Sequence, residues 1–194
     1  MTAHFEGRIV VEWLTERGAD RNMRLVEPFA FIDAAGQRWD VPANAVVNGA
    51  SIPAVFWSTV GPPFVGDYRR ASVVHDHHCE IKTKASAAVH RMFFEACRIG
   101  GVPSWRAKIM YAAVKTFGPN WILRPALAAS SIEGLEGLST DGAIATHTEM
   151  DGEAFNELLR RIEKDDSSLD DIDAMIRDRA TVSPVRPLDP AAVF

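Results

Sequence analysis

The sequence predicts an α+β fold: a small N-terminal antiparallel sheet, a helical bundle after it, and a C-terminal helical hairpin. Three observations carry that expectation. Up to Val47 the chain sets β-branched and aromatic runs between turn residues, the texture of short strands. From Ser51 the apolar residues fall three and four apart, as on helices packed against a core. Near the C-terminus two further apolar stripes sit in an acidic stretch.

The strands come first. Residues 8–14, Arg-Ile-Val-Val-Glu-Trp-Leu, form an extended run closed by turn chemistry at Gly18-Ala-Asp-Arg-Asn22. Residues 24–33 read as a second strand. Pro28 lacks an N–H and assigns it to an edge or a bulge. Ala34-Ala-Gly-Gln37 turns the chain into a partner at 38–42, and Ala45-Val-Val47 supplies one more short strand. Sequential strands joined by short turns pair antiparallel.

The helices follow. Ser51 stands before Ile52-Pro53 as an N-cap for a helix over 51–58, which Gly61-Pro-Pro63 terminates. Asp67 is placed to cap a second helix running through Tyr68, Ala71, Val74, His75 and His78. A third spans about 84–98, with Val89, Phe93, Ala96 and Cys97 on its apolar stripe, and Gly100-Gly101 stops it. Ser104 caps a fourth, which carries Ala107, Met110, Tyr111, Val114 and Phe117. These elements make residues 1–121 an α+β core domain. Residues 122–148, Gly- and Ser-rich between 128 and 142, read as a linker. Residues 149–180 read as an acidic helical hairpin, with Phe155, Leu158, Leu159 and Ile162 on one stripe and Leu169, Ile172, Met175 and Ile176 on the other. Ser168 and Asp171 form a capping box for the second helix. Such a hairpin must bury its stripes on the core, on a second copy or on a partner, so a protein partner or self-association through these helices is expected. The proline-bearing tail, 181–194, is expected to be extended.

Composition narrows the function classes. The formal net charge of −5, from 26 acidic and 21 basic residues, argues against a nucleic-acid binder, which needs a basic surface. No apolar run approaches the roughly 20 residues of a membrane span. The N-terminus has no basic and apolar leader pattern, so a cytoplasmic setting with two reduced cysteines is expected.

Chemistry concentrates in one window. Four of the six histidines and both cysteines lie between residues 75 and 97. His75, His78 and Cys79 stand at i, i+3 and i+4 on one helix face, a half-site for zinc or another transition metal. His90 and Cys97 share a face of the next helix. Packing the two helices antiparallel closes either a His/Cys set or a His/Asp/His set. Asp76 is a ligand, a general base or the acceptor that fixes a histidine tautomer. The expected metal set is His75, Asp76 and His90, holding a divalent metal such as zinc. The expected catalytic set is His75, Asp76 and Ser51, with Asn48 shaping the pocket. Other readings are a Ser51 nucleophile served by His75 and Asp76, a Cys79 nucleophile, and a purely structural His75-Asp76 pair with His77 and His78 exposed.

Val41-Pro42, Gly49-Ala-Ser-Ile-Pro53, Tyr68-Arg-Arg-Ala71, His75-Asp76, Phe93, Gly101-Val-Pro103, Met110-Tyr111 and Phe117-Gly118 together resemble DUF1353, an uncharacterised family associated with bacteriophages and prophages. The resemblance runs over about residues 41–121. It implies phage descent and an α+β core, and it brings no established activity. The family pattern has Thr-Asp where this chain has Val47-Asn48, and an aspartate where this chain has His90. The reading that results is a phage-derived cytoplasmic protein with a His/Asp-centred site, a candidate metal-dependent hydrolase. Its competitor is a non-catalytic phage accessory or assembly protein acting through protein contacts.

Overall fold

The computed structural model describes residues 1–15, 22–48, 66–123 and 143–184. The expected helix over 51–58, and Ser51 with it, lies outside these residues.

The N-terminal strands form two three-stranded antiparallel sheets. In the first, β4 (Phe29–Ile32) lies between β1 (His4–Glu6) and β5 (Arg38–Val41), pairing Phe31 with Phe5 and with Trp39. In the second, β3 (Met23–Leu25) lies between β2 (Val11–Trp13) and β6 (Val46–Val47). The single strand expected over 24–33 is thus two strands in two sheets, divided by Pro28, which cannot donate to a ladder. The expected hairpin at 34–37 forms. Gly36 takes φ +83° there, and Asp33 accepts from the Gln37 N–H at 2.8 Å and from Trp39 Nε1 at 3.0 Å.

Three helices follow, the first packed on these sheets and the next two layered behind it. α1 (Arg69–Ile81) starts behind a 3-10 turn at Gly66–Tyr68, and no side chain caps it, so Asp67 does not play the capping role expected of it. α2 is Ser86–Gly100. α3 is Ser104–Phe117, in which Ser104 is the first helical residue and Pro103 holds the cap position. Gly100 is required where α2 ends: a Cβ there would stand 2.2 Å from the Asp67 carbonyl oxygen.

A third antiparallel sheet, in the order β7 (Asn120–Leu123), β8 (Ala143–Glu149), β9 (Thr181–Pro184), was not expected. Residues 122–123 and 143–148 of the expected linker are strand. Residues 124–142 lie outside the described ones. Both C-terminal helices form, α4 (Gly152–Lys164) capped by Asp151 and α5 (Leu169–Arg179) by the expected Ser168–Asp171 box.

Their stripes settle on the chain's own core. Phe155, Leu158, Ile162, Ile172 and Ile176 join the same apolar cluster as Phe31, Trp39, Phe93 and Tyr111. A polar seam reinforces the contact. Asp173 of α5 accepts from Tyr111 Oη and Arg91 Nη2, each at 2.6 Å, and lies 3.6 Å from Lys115 Nζ. Among the described residues no helix is long and apolar enough to cross a membrane.

Candidate metal centre

Helical spacing puts His75 and Cys79 on the inner face of α1, one turn apart. α2 packs against that face and brings His90 opposite. His75 Nε2 lies 2.9 Å from His90 Nδ1, and Cys79 Sγ lies 3.6 Å from His75 Nε2. One donor atom from each of the three residues fits within 4.8 Å of the others, and all three side chains are buried. Phe93 packs against the His75 ring at a tilt, with centroids 4.5 Å apart, and Trp121 closes on His90 edge-on at 6.3 Å. The walls are apolar and aromatic.

The fourth member is Asn120, at the start of β7. Its Nδ2 donates to the Lys115 carbonyl at 2.9 Å and to the Gly118 carbonyl at 3.2 Å, which leaves Oδ1 facing His90 Nε2 at 3.3 Å. Asn120 also satisfies an end carbonyl of α3, the kind of group a helix leaves without an internal partner.

Burial decides the charge state of the cluster. His75 is held well below the ordinary imidazole range, first by burial and then by the neighbouring His90. His90 is brought down to about 4 by burial and by the Lys115 charge, against hydrogen bonds to Asn120 and the Pro119 carbonyl. Burial, with the Asp76 charge behind it, pushes the Cys79 thiol up. The histidines are therefore held neutral near pH 7, the state a metal would need, and Cys79 is a thiol whose proton a metal would have to displace.

The spacing suits a small transition metal. Zinc holds nitrogen at about 2.0–2.1 Å and sulfur at about 2.3 Å, so tetrahedral ligands stand about 3.4 Å apart N to N and about 3.6 Å apart N to S. The His75–Cys79 distance already matches. To hold such an ion, the two histidines would have to part by about half an ångström from their 2.9 Å contact and give up their mutual hydrogen bond.

Asp76 faces elsewhere. It accepts the Asn48 N–H at 2.7 Å and lines a cleft of about 330 Å³ with Asn48, Glu80, Lys82 and Cys79. Cys79 thus belongs both to the buried cluster and to the cleft wall. Of the residues singled out in the sequence, the fold joins His75 to His90 and sets Asp76 beside Asn48 on the cleft side. The i, i+4 spacing of Cys79 to His75 was the signal for its place. Asn120 had no such signal, because its role follows from a tertiary contact. His78, read as exposed if the pair is structural, is buried edge-on against Trp39 at 5.1 Å.

The comparisons with known proteins reach the same segment. The family described as "Protein of unknown function (DUF1353)" matches residues 23–114, which include His75, Asp76, Cys79 and His90 but not Asn120. The chain is 50% identical over 99 residues to the uncharacterized protein y4jT of Sinorhizobium fredii, 51% of this chain and 30% of that one. It is 33% identical over 93 residues to the uncharacterized protein y4iH of the same organism, 48% of this chain and 39% of that one. The matches thus span well under half the length of these relatives. No solved structure matches the chain.

Proposed function

We propose that this protein binds a zinc-class transition metal through His75, Cys79 and His90 and acts as a metal-dependent hydrolase at the adjoining cleft. One observation carries the reading: three buried donors, two of them neutral imidazoles, converge within 4.8 Å beside a cleft that Asp76, Glu80 and Lys82 line. A bound metal would supply Lewis acidity and bring the pKa of a coordinated water toward 7. Asp76, oriented by the Asn48 N–H, is the cleft's proton acceptor, and Lys82 offers a positive charge to an anionic substrate group. Ser51 stays in the proposal as a pocket residue on sequence grounds alone. Phage descent and a cytoplasmic setting belong to the same proposal. The first rests on the family resemblance, and the second is in keeping with two free buried thiols.

A second reading, a non-catalytic accessory or assembly protein, is favoured by the hydrogen bonds that already satisfy His75, His90 and Asn120 without a metal. It would act through the solvated acidic side of α4 and α5, since their apolar stripes are covered. Elemental analysis of protein purified without a metal-affinity tag separates the two. Near-stoichiometric metal, lost in a folded His75→Ala variant, supports the first. A protein that holds no metal after reconstitution with zinc, and whose His75→Ala form loses only stability, supports the second.

A further inference from the structure

We infer that Asn120 is the positioning residue of this centre: its side-chain oxygen keeps the proton of His90 on Nε2 and so makes Nδ1 the atom offered to the metal. The ligand half of this inference rests on the metal reading above, whereas the tautomer it assigns belongs to the metal-free protein as well.

Asn120 Nδ2 donates to two backbone carbonyls, those of Lys115 and Gly118. Turning the amide over would set its oxygen against both and forfeit both bonds, so Oδ1 is locked toward His90. A carbonyl oxygen only accepts, so His90 must donate from Nε2 across the 3.3 Å contact. A neutral imidazole carries one N–H, which leaves His90 Nδ1 an acceptor. The 2.9 Å contact then makes His75 Nε2 the donor to His90. With the Asn120 amide locked, the direction runs from His75 to His90 to Asn120, and the Pro119 carbonyl, which also accepts from His90, must share that same single N–H. The chain terminates there, since an amide oxygen cannot pass a proton on.

This is the arrangement in which a ligating histidine gives its second nitrogen to an oxygen that fixes ring orientation and tautomer. It also specifies what metal entry does to His75. The Nε2 proton leaves, Nδ1 takes one up, and the ring stays neutral, while the His90 tautomer is unchanged. Asn120 has a competing, purely structural role as the partner of the last α3 carbonyls, so the test must separate the two.

Asn120→Asp keeps an acceptor for His90 but loses the donors to Lys115 and Gly118. Asn120→Leu removes both. Nitrogen-15 NMR of the imidazoles in metal-free protein, together with cobalt(II) titration, reads the result. Wild type and Asn120→Asp should show His90 protonated on Nε2. Asn120→Leu should show mixed tautomers and bind cobalt about 10–100-fold more weakly, with Asn120→Asp close to wild type. A wild-type His90 protonated on Nδ1 overturns the inference even if neither variant folds. So does an Asn120→Leu variant with unchanged tautomer and affinity, or equal losses in both variants, which would leave only the structural role. Wild type with the expected tautomer but no cobalt uptake removes the ligand role and the metal reading, leaving the tautomer standing.

Discussion

Replacing Asp173 by alanine should separate the C-terminal helices from the rest of the fold more than any other single surface change. Its carboxylate is 15% exposed and accepts a 2.6 Å hydrogen bond from the hydroxyl of Tyr111, a residue with no exposure at all. Burial pushes the Asp173 carboxyl up, but the bonds from Tyr111 and Arg91 more than offset this and hold it below its ordinary range. A hydrogen bond to a charged group contributes about 1.5–3 kcal/mol, and its loss strands a buried hydroxyl. The half-buried Lys115, 3.6 Å away, adds a smaller electrostatic share. Arg91 adds little, because its side chain is 41% exposed and retains Asp170 as a partner. The expectation is a loss of about 3 kcal/mol for Asp173→Ala, about 2 for Tyr111→Phe and under about 1 for Arg91→Ala. Urea unfolding followed by tryptophan fluorescence measures all three, and the Asp173→Ala/Tyr111→Phe double mutant should show a coupling of about 1–2 kcal/mol. An Asp173→Ala protein no less stable than Arg91→Ala would refute the seam as a stabilising contact.

Acidification should destabilise metal-free protein. His78 and His90 titrate near 4 in the folded chain against an ordinary 6.5, so the unfolded state takes up protons first, and stability, full above about pH 6.5, falls as pH drops. At pH 5 the loss is about 2 kcal/mol per histidine, and identical urea midpoints at pH 7 and pH 5 would contradict it. Gly100→Ala should cost about 2 kcal/mol or more, because its Cβ meets backbone at 2.2 Å, whereas Gly152→Ala, with nothing within 4 Å, should be near neutral. Thermal melts of the pair decide. Zinc uptake near pH 7 should release about one proton, from the Cys79 thiol, when calorimetry is repeated in buffers of different ionisation enthalpy, and Cys79→Ser should release none.

How far the sequence reached depended on whether a signal was local. Helices α1 to α5 were legible because their apolar residues recur at helical spacing, and the Ser168–Asp171 box announced α5 by residue identity alone. Sheet partners were less so. Pro28 was read as marking an edge or a bulge within one strand, and only pairing across distant segments shows that it divides two sheets. β7 to β9 were missed because Asn120–Leu123 and Thr181–Pro184 are short, and β8 adjoins a Gly-rich stretch that resembles a linker. The approach of His75 to His90 was legible from residue type and the expected packing of two helices. Asp76, adjacent to His75 in sequence, points a different way because neighbouring helical positions diverge by about 100°. Cys79, four residues on, does share that face and lies with His75 and His90 in the buried cluster, the His/Cys set that helix packing had left open beside the His/Asp/His one.

The claim that His75, Cys79 and His90 share one metal is tested most directly by X-ray absorption at the zinc edge of reconstituted protein. The account predicts two imidazole nitrogens near 2.0 Å and one sulfur near 2.3 Å, with the sulfur shell absent in Cys79→Ser. A zinc shell of oxygen and nitrogen alone in the wild-type protein, or no bound zinc at all, would contradict it.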